Sequence, residues 1–111
     1  MLIKLLPQRR EDTLVVKKSG HVLNVNGEDF DFSPMTEGAT LPRAAIASEW
    51  FTGDVEMINS ELIVSLRLPL PANYSPEQAF PVPLENVPDG PVVFPAPLPE
   101  LATETELGGA A

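Results

Sequence analysis

Two stretches of the chain alternate apolar and polar residues with the two-residue period of a half-buried β-strand. In the first, residues 13–17 are rich in β-branched side chains. Residues 22–25 and 28–32 follow, each after a turn signal: Ser19-Gly20, then Asn26-Gly27. Asn-Gly suits a type I′ hairpin turn, which needs positive φ at both central residues. The pattern predicts a three-stranded antiparallel meander with Leu14, Val16, Leu23, Val25, Phe30 and Phe32 on its buried face. In the second stretch, residues 54–57 and 61–68 flank the turn Asn59-Ser60. They predict a hairpin that turns Val55, Met57, Leu62, Val64, Leu66 and Leu68 inward. Between the two stretches, Ser33-Pro34 ends the meander and residues 35–41 read as a loop. Thr40-Leu41-Pro42 then opens one helical turn or an irregular strand, because proline is tolerated in a first helical turn. The fold class is mainly β: a small antiparallel meander or sandwich-like domain.

Composition changes after Leu68. Ten of the 13 prolines lie between Pro69 and Pro99, and all seven basic residues lie at or before Arg67. Beyond Arg67 the only charges are Glu77, Glu85, Asp89, Glu100, Glu104 and Glu106. The chain therefore divides into an antiparallel β domain (1–68), a Pro-rich extended arm (69–99) and a flexible acidic, small-residue tail (100–111). Proline at this density removes backbone donors and forbids helix, so polyproline II or edge-strand conformation is expected. The run 91–99 has no charge, and Phe80, Val82, Leu84 and Val87 are apolar. A purely solvated tail has no use for such residues, so the arm should order in an assembly, over its own domain or a neighbour. A domain of about 65 residues buries only about 60% of its unfolded surface. A partner subunit is the expected remedy. Removing residues 69–111 should leave a folded β domain and abolish its incorporation into that assembly.

Charge and residue inventory exclude much chemistry. Seven basic against 16 acidic residues give a net charge of -9, which opposes binding to a phosphate backbone. With no cysteine, disulfides, thiolate metal sites and a cysteine nucleophile are impossible. The one histidine, His21, sits beside a turn and reads as solvated. Glu28, Asp29 and Asp31 have oxygen ligands suited to Ca²⁺ or Mg²⁺, but their spacing is not that of an EF-hand loop. Alternation makes Asp29 and Asp31 the solvent face of a strand. Glu49, Asp54, Glu56 and Glu61 could supply paired carboxylates, but no cleft is predicted around them. The reading is of a protein that is not an enzyme and takes no cofactor and no metal.

No apolar run approaches the ~20 residues of a membrane span. Lys4 and Pro7 interrupt the N-terminal apolar stretch, so a secretory signal is not expected either. Lys4, Arg9, Arg10, Lys17 and Lys18 make the N-terminus locally basic. Surface solubility explains them, and docking the acidic arm of a neighbouring subunit is an alternative use. The residues nominated for partner contact are Trp50, Phe51, Phe80, Val92, Val93, Phe94 and Leu98. Trp50 and Phe51 are the chain's one aromatic pair, and Trp is enriched at interface hot spots.

Residues 12–20 and 22–33, then 38–42, 50–55 and 62–69, together resemble small proteins encoded in the tail gene modules of tailed bacteriophages and proteobacterial prophages. The resemblance spans about residues 1–95 and is one of hairpins and turns. It implies a virion or virion-assembly role near the baseplate or fibre attachment, in contact with other tail proteins and with copies of itself. The implied location is the virion tail, after synthesis in the bacterial cytoplasm. Alternatives are a non-virion assembly factor for tail or fibre proteins, or an acidic inhibitor of a host nucleic-acid-binding protein. The resemblance implies no active-site residues.

Overall fold

The computed structural model describes residues 1–98, so Pro99 and the expected tail at 100–111 lie outside the described residues. The protein is mainly β, with two four-stranded sheets packed over one core. The strands are β1 (Leu2–Arg9), β2 (Val16–Ser19), β3 (Val22–Val25), β4 (Glu28–Asp31), β5 (Thr40–Leu41), β6 (Val55–Ile58), β7 (Glu61–Leu70) and β8 (Gly90–Pro91). One sheet has the order β1-β7-β6-β5, the other β4-β3-β2-β8. Among the described residues no helix is long and apolar enough to cross a membrane.

The meander forms as the alternation predicts. Asn26 and Gly27 take φ of 48° and 90°, and β3 pairs antiparallel with β4 from Val22↔Asp31 to Val25↔Glu28. The Asn26 side chain also accepts from the Val15 N–H at 2.7 Å and donates to the Thr13 carbonyl at 3.0 Å. It thereby holds the chain that enters β2 against the turn. Leu14, Val16, Leu23, Val25 and Phe32 are buried, and Phe30 is half-buried against them. The second hairpin also forms, with positive φ at Asn59 (52°) and Ser60 (63°) and Met57 opposite Leu62. Both N–H groups of that turn donate to the Glu37 carboxylate at 2.7 Å, so Glu37 caps the hairpin from the preceding loop.

Three elements of the first 70 residues depart from the sequence expectation, and a fourth, a helical turn, stands in the Pro-rich segment where none was expected. Residues 2–9, read as a charged N-terminal stretch, form β1, which pairs in parallel with β7 from Leu2↔Ile63 to Arg9↔Leu70. Only Ile3 and Leu5 turn their side chains into the core, so the strand needs few apolar residues. Pro7 is tolerated because β1 lies outside β7, where a missing donor breaks no ladder bond. The stretch read as a helical turn or irregular strand is both: Thr40 and Leu41 pair with β6, and a 3-10 turn follows at Arg43–Ala45. Finally, β7 runs two residues past the expected boundary, to Leu70.

The described part of the Pro-rich segment lies against its own chain. Ile3 and Leu84 exchange two backbone hydrogen bonds of 2.9 and 2.8 Å, which places Leu84 along the outer edge of β1. β8 extends the other sheet beside β2, with Lys18 opposite Gly90. Val87 and Val92 enter the core. A single helical turn, α1 (Pro76–Ala79), starts at Ser75 with a capping box: the Ser75 hydroxyl accepts from the Gln78 N–H, and the Gln78 side chain accepts from the Ser75 N–H. The Ser75 hydroxyl in turn donates to the Ala96 carbonyl at 2.7 Å.

An ion pair fastens β8. The Asp89 carboxylate accepts from Lys18 Nζ at 2.6 Å and from the Gly20 N–H at 3.0 Å. The Lys18 contact, then the Gly20 N–H, hold the Asp89 carboxyl below its ordinary value. A carboxylate with a depressed pKa stabilises the fold above its unfolded-chain value of about 3.9, and that support is lost as the pH falls below it. Asp12, bonded to Arg10, and Asp31, bonded by Ser33, are lowered too. Asp89→Asn should therefore lower the thermal midpoint at neutral pH, and the gap to the wild type should close below about pH 4. A midpoint series from pH 7 to about pH 3 on both proteins checks this; a gap that persists in acid would refute the role of the ionised carboxylate.

Candidate contact surface

The seven nominated contact residues separate into three groups. Phe51 and Val92 are core. Phe51 is 0% exposed, bridges antiparallel to Leu66, and meets Phe30 and Phe32 edge-on at centroid distances of 5.0 and 5.9 Å. Val92 is buried beside β2, where its N–H donates to the Val16 carbonyl. Their nomination is corrected on this ground: neither presents a side chain to a partner of the folded chain.

Trp50 lies under Arg10, whose guanidinium carbon is 4.7 Å from the ring centroid. Arg10 is held in turn by Asp12 at 2.5 Å and Glu49 at 3.1 Å, and those carboxylates raise its pKa above the ordinary arginine value. Arg67 donates to the Glu49 carbonyl and to Gln8 Oε1. Trp50 is thus half-buried in an ordered polar cluster of its own chain.

The remaining four lie on the Pro-rich segment. Phe80 is 84% exposed and Val93 81% exposed, while Phe94 is half-buried. These three meet in one groove, together with Val82, Leu84 and Pro95, and Val82 is 74% exposed. Leu98 is not in the groove: its backbone is tied to Asn73 through a 2.9 Å and a 2.6 Å hydrogen bond. The groove has a volume of about 350 Å³, and among the described residues the one charged residue lining it is Glu77. An adjoining groove shares Leu84 and Val93 and is edged by Glu85. A site for a small ligand gathers several convergent polar groups on an apolar wall. Here the wall is apolar and open, which suits side chains of another protein.

Backbone pairing stops short of these residues. Along Phe80-Pro81-Val82-Pro83-Leu84, Leu84 is captured by Ile3 in a single antiparallel bridge, and the pairing does not continue to Val82 or Phe80. Both side chains are left exposed. Val82 was not nominated from the sequence. The alternation of proline with apolar residues was its signal, but alternation puts Val82 on the side of the half-buried Leu84, and only the end of the pairing at Leu84 exposes it.

Other candidate chemistry does not assemble. His21 shares a shallow depression with Met35, Glu37, Met57 and Ser60, where Glu37 is already committed to the hairpin N–H groups. Asp31 accepts from the Ser33 N–H at 2.9 Å. Asp29 accepts from the Asn24 side chain at 2.8 Å on the outer face of the meander. Among the described residues no three His, Asp or Glu side chains are grouped to hold a metal ion. Comparison of the chain with protein-family models, with curated proteins and with solved structures gives no match.

Proposed function

We propose that this protein is a structural or accessory component of a bacteriophage tail, in the baseplate or fibre-attachment region, and that it acts by protein–protein contact in a multi-copy assembly. The observation that carries the contact role is the outward-facing cluster of Phe80, Val82 and Val93. Three neighbouring apolar side chains, each more than two-thirds exposed, mark an interaction site on a small protein. The proline framework supports the same use. It fixes the backbone on either side of the groove, so little conformational entropy remains to be lost when a partner docks. The tail assignment rests on the resemblance of the hairpin and turn pattern to tail-module proteins.

The test is the protein content of purified particles of the phage or induced prophage that carries the gene, by mass spectrometry with copy number. A fixed copy number per particle is the expected result. Absence from particles, with the protein abundant in the producing cell, would overturn the tail-component reading and favour the assembly factor or the host-directed inhibitor.

A further inference from the structure

We infer that the groove receives the outer face of the β1-β7-β6-β5 sheet of a second copy of this chain, joined head to tail. This rests on the contact role proposed above and names the partner.

Charge selects the occupant. Glu77 and Glu85 edge the two adjoining grooves, and both are exposed. No lysine or arginine follows Arg67 anywhere in the sequence, so nothing in this half of the chain neutralises them. The matching surface should be apolar with basic flanks. One face of the protein has that character. On the outer side of β1 and β7, Leu6 is 53% exposed and Leu2 pairs with Ile63. Lys4 lies between Leu2 and Leu6 and is exposed, with no ion pair among the described residues. Arg67, opposite Leu6, spends its hydrogen bonds on the neutral acceptors Gln8 and the Glu49 carbonyl and makes no ion pair among the described residues. The carboxylates on this face lie at the other end of β7: Glu61 is its first residue, 3.8 Å from the terminal amino group, and Glu56 of β6 stands opposite Ile63, whereas Lys4 and Arg67 flank Leu6.

Two other occupants are disfavoured by the same reasoning. A symmetric pairing of groove with groove would bring Glu77 and Glu85 of both copies to one rim. The chain's own residues 99–111 carry three glutamates and no basic residue, so they meet like charge at the groove. The head-to-tail contact joins two different surfaces. A pair of copies therefore keeps one free groove and one free sheet face between them, and association continues until a ring closes or a filament grows.

The test uses the full chain and two variants, Phe80→Ser in the groove and Leu6→Glu on the sheet face. Both positions are solvent-exposed, so both variants should fold; circular dichroism and thermal midpoints verify that. By light scattering coupled to size exclusion, the wild-type mass should rise with concentration above that of one chain, and less so in high salt. Each variant alone should remain at the mass of one chain. An equimolar mixture should form a dimer and stop there, because the intact groove of the Leu6→Glu chain meets the intact face of the Phe80→Ser chain. A wild type that stays monomeric at high micromolar concentration and low salt, or a mixture that stays monomeric while the wild type associates, would overturn the inference. The chain found in particles at fixed copy number alongside a monomeric wild type would separate the two readings: the tail role would stand, and the groove would belong to a different protein.

Discussion

Phe51→Ala is expected to cost about 3–5 kcal/mol, the usual range for deleting a fully buried aromatic side chain. Phe51 is among the largest side chains of zero exposure. It projects from the strand-like segment that pairs with the second half of β7, through Thr52 N–H to Ser65 O at 3.0 Å and Arg67 N–H to Trp50 O at 2.8 Å. Its ring fills the space between that segment and the phenylalanines at the end of the meander, Phe30 and Phe32. Truncation therefore removes the transfer contribution of the ring, two edge-to-face contacts and the filler between the sheets. A domain of this size has roughly 5–15 kcal/mol in total. The variant should lose about half its denaturant midpoint or fail to fold. Equilibrium urea unfolding checks this, and a loss under about 1 kcal/mol would show that the two sheets close over the gap. Phe80→Ala, at a position 84% exposed, should change stability by less than about 0.5 kcal/mol in the same assay.

Truncation after residue 83 is expected to unfold the protein, whereas truncation after residue 98 should leave it folded. Residues 84–98 supply Leu84 to the edge of β1, Val87 and Val92 to the core, β8 to the edge of β2, and Phe94 to the core margin. Burying one aliphatic side chain is worth about 1.5–3 kcal/mol, so losing Leu84, Val87 and Val92 together removes a large share of a marginal total. This revises the expectation that residues 1–68 fold alone, because that fragment lacks in addition Leu70 at the end of β7, also buried. Proteolytic sensitivity and tertiary near-ultraviolet signal distinguish the outcomes. A cooperative transition retained by the 1–83 fragment would show that the Pro-rich segment is an accessory layer.

Much of the β-structure was legible because five of the eight strands obey local rules. Three turns with positive-φ residues and strict alternation were enough to place β2, β3, β4, β6 and β7 and nearly all of their inward residues. What alternation cannot show is which strands meet across a large sequence separation. β1 contains a lysine and a proline in eight residues and is a strand because β7 runs beside it. β8 is two residues, Gly90 and Pro91, recruited by Lys17 and Lys18 of β2. The contact surface was half legible for the same reason. Phe80, Val93 and Phe94 stood out as apolar residues in an acidic, proline-rich context. Nothing local distinguishes Val92 from Val93, yet one is buried and the other 81% exposed. Position on the strand decides that, and the position is set by the bond from Val92 to Val16.

The parallel pair of β1 and β7 has a consequence for how the chain reaches this structure during synthesis. The first strand made has no partner until residues 61–70 exist, and its outer edge stays open until Leu84 arrives to bond Ile3. Chains emerge N-terminus first at roughly 5–20 residues per second, so β1 waits several seconds as an unpaired segment. The meander can form early from local contacts, but the sheet that covers it joins residues 2–9 to residues 61–70 across the whole meander. Such long-range closure slows folding compared with a fold built from neighbouring hairpins. Most of the 111 residues must therefore leave the ribosome before the core is sealed. Pro7 and the charges of Lys4 and Arg9 on the waiting strand then have a second use: they make it a poor template for pairing with the nascent strands of other copies.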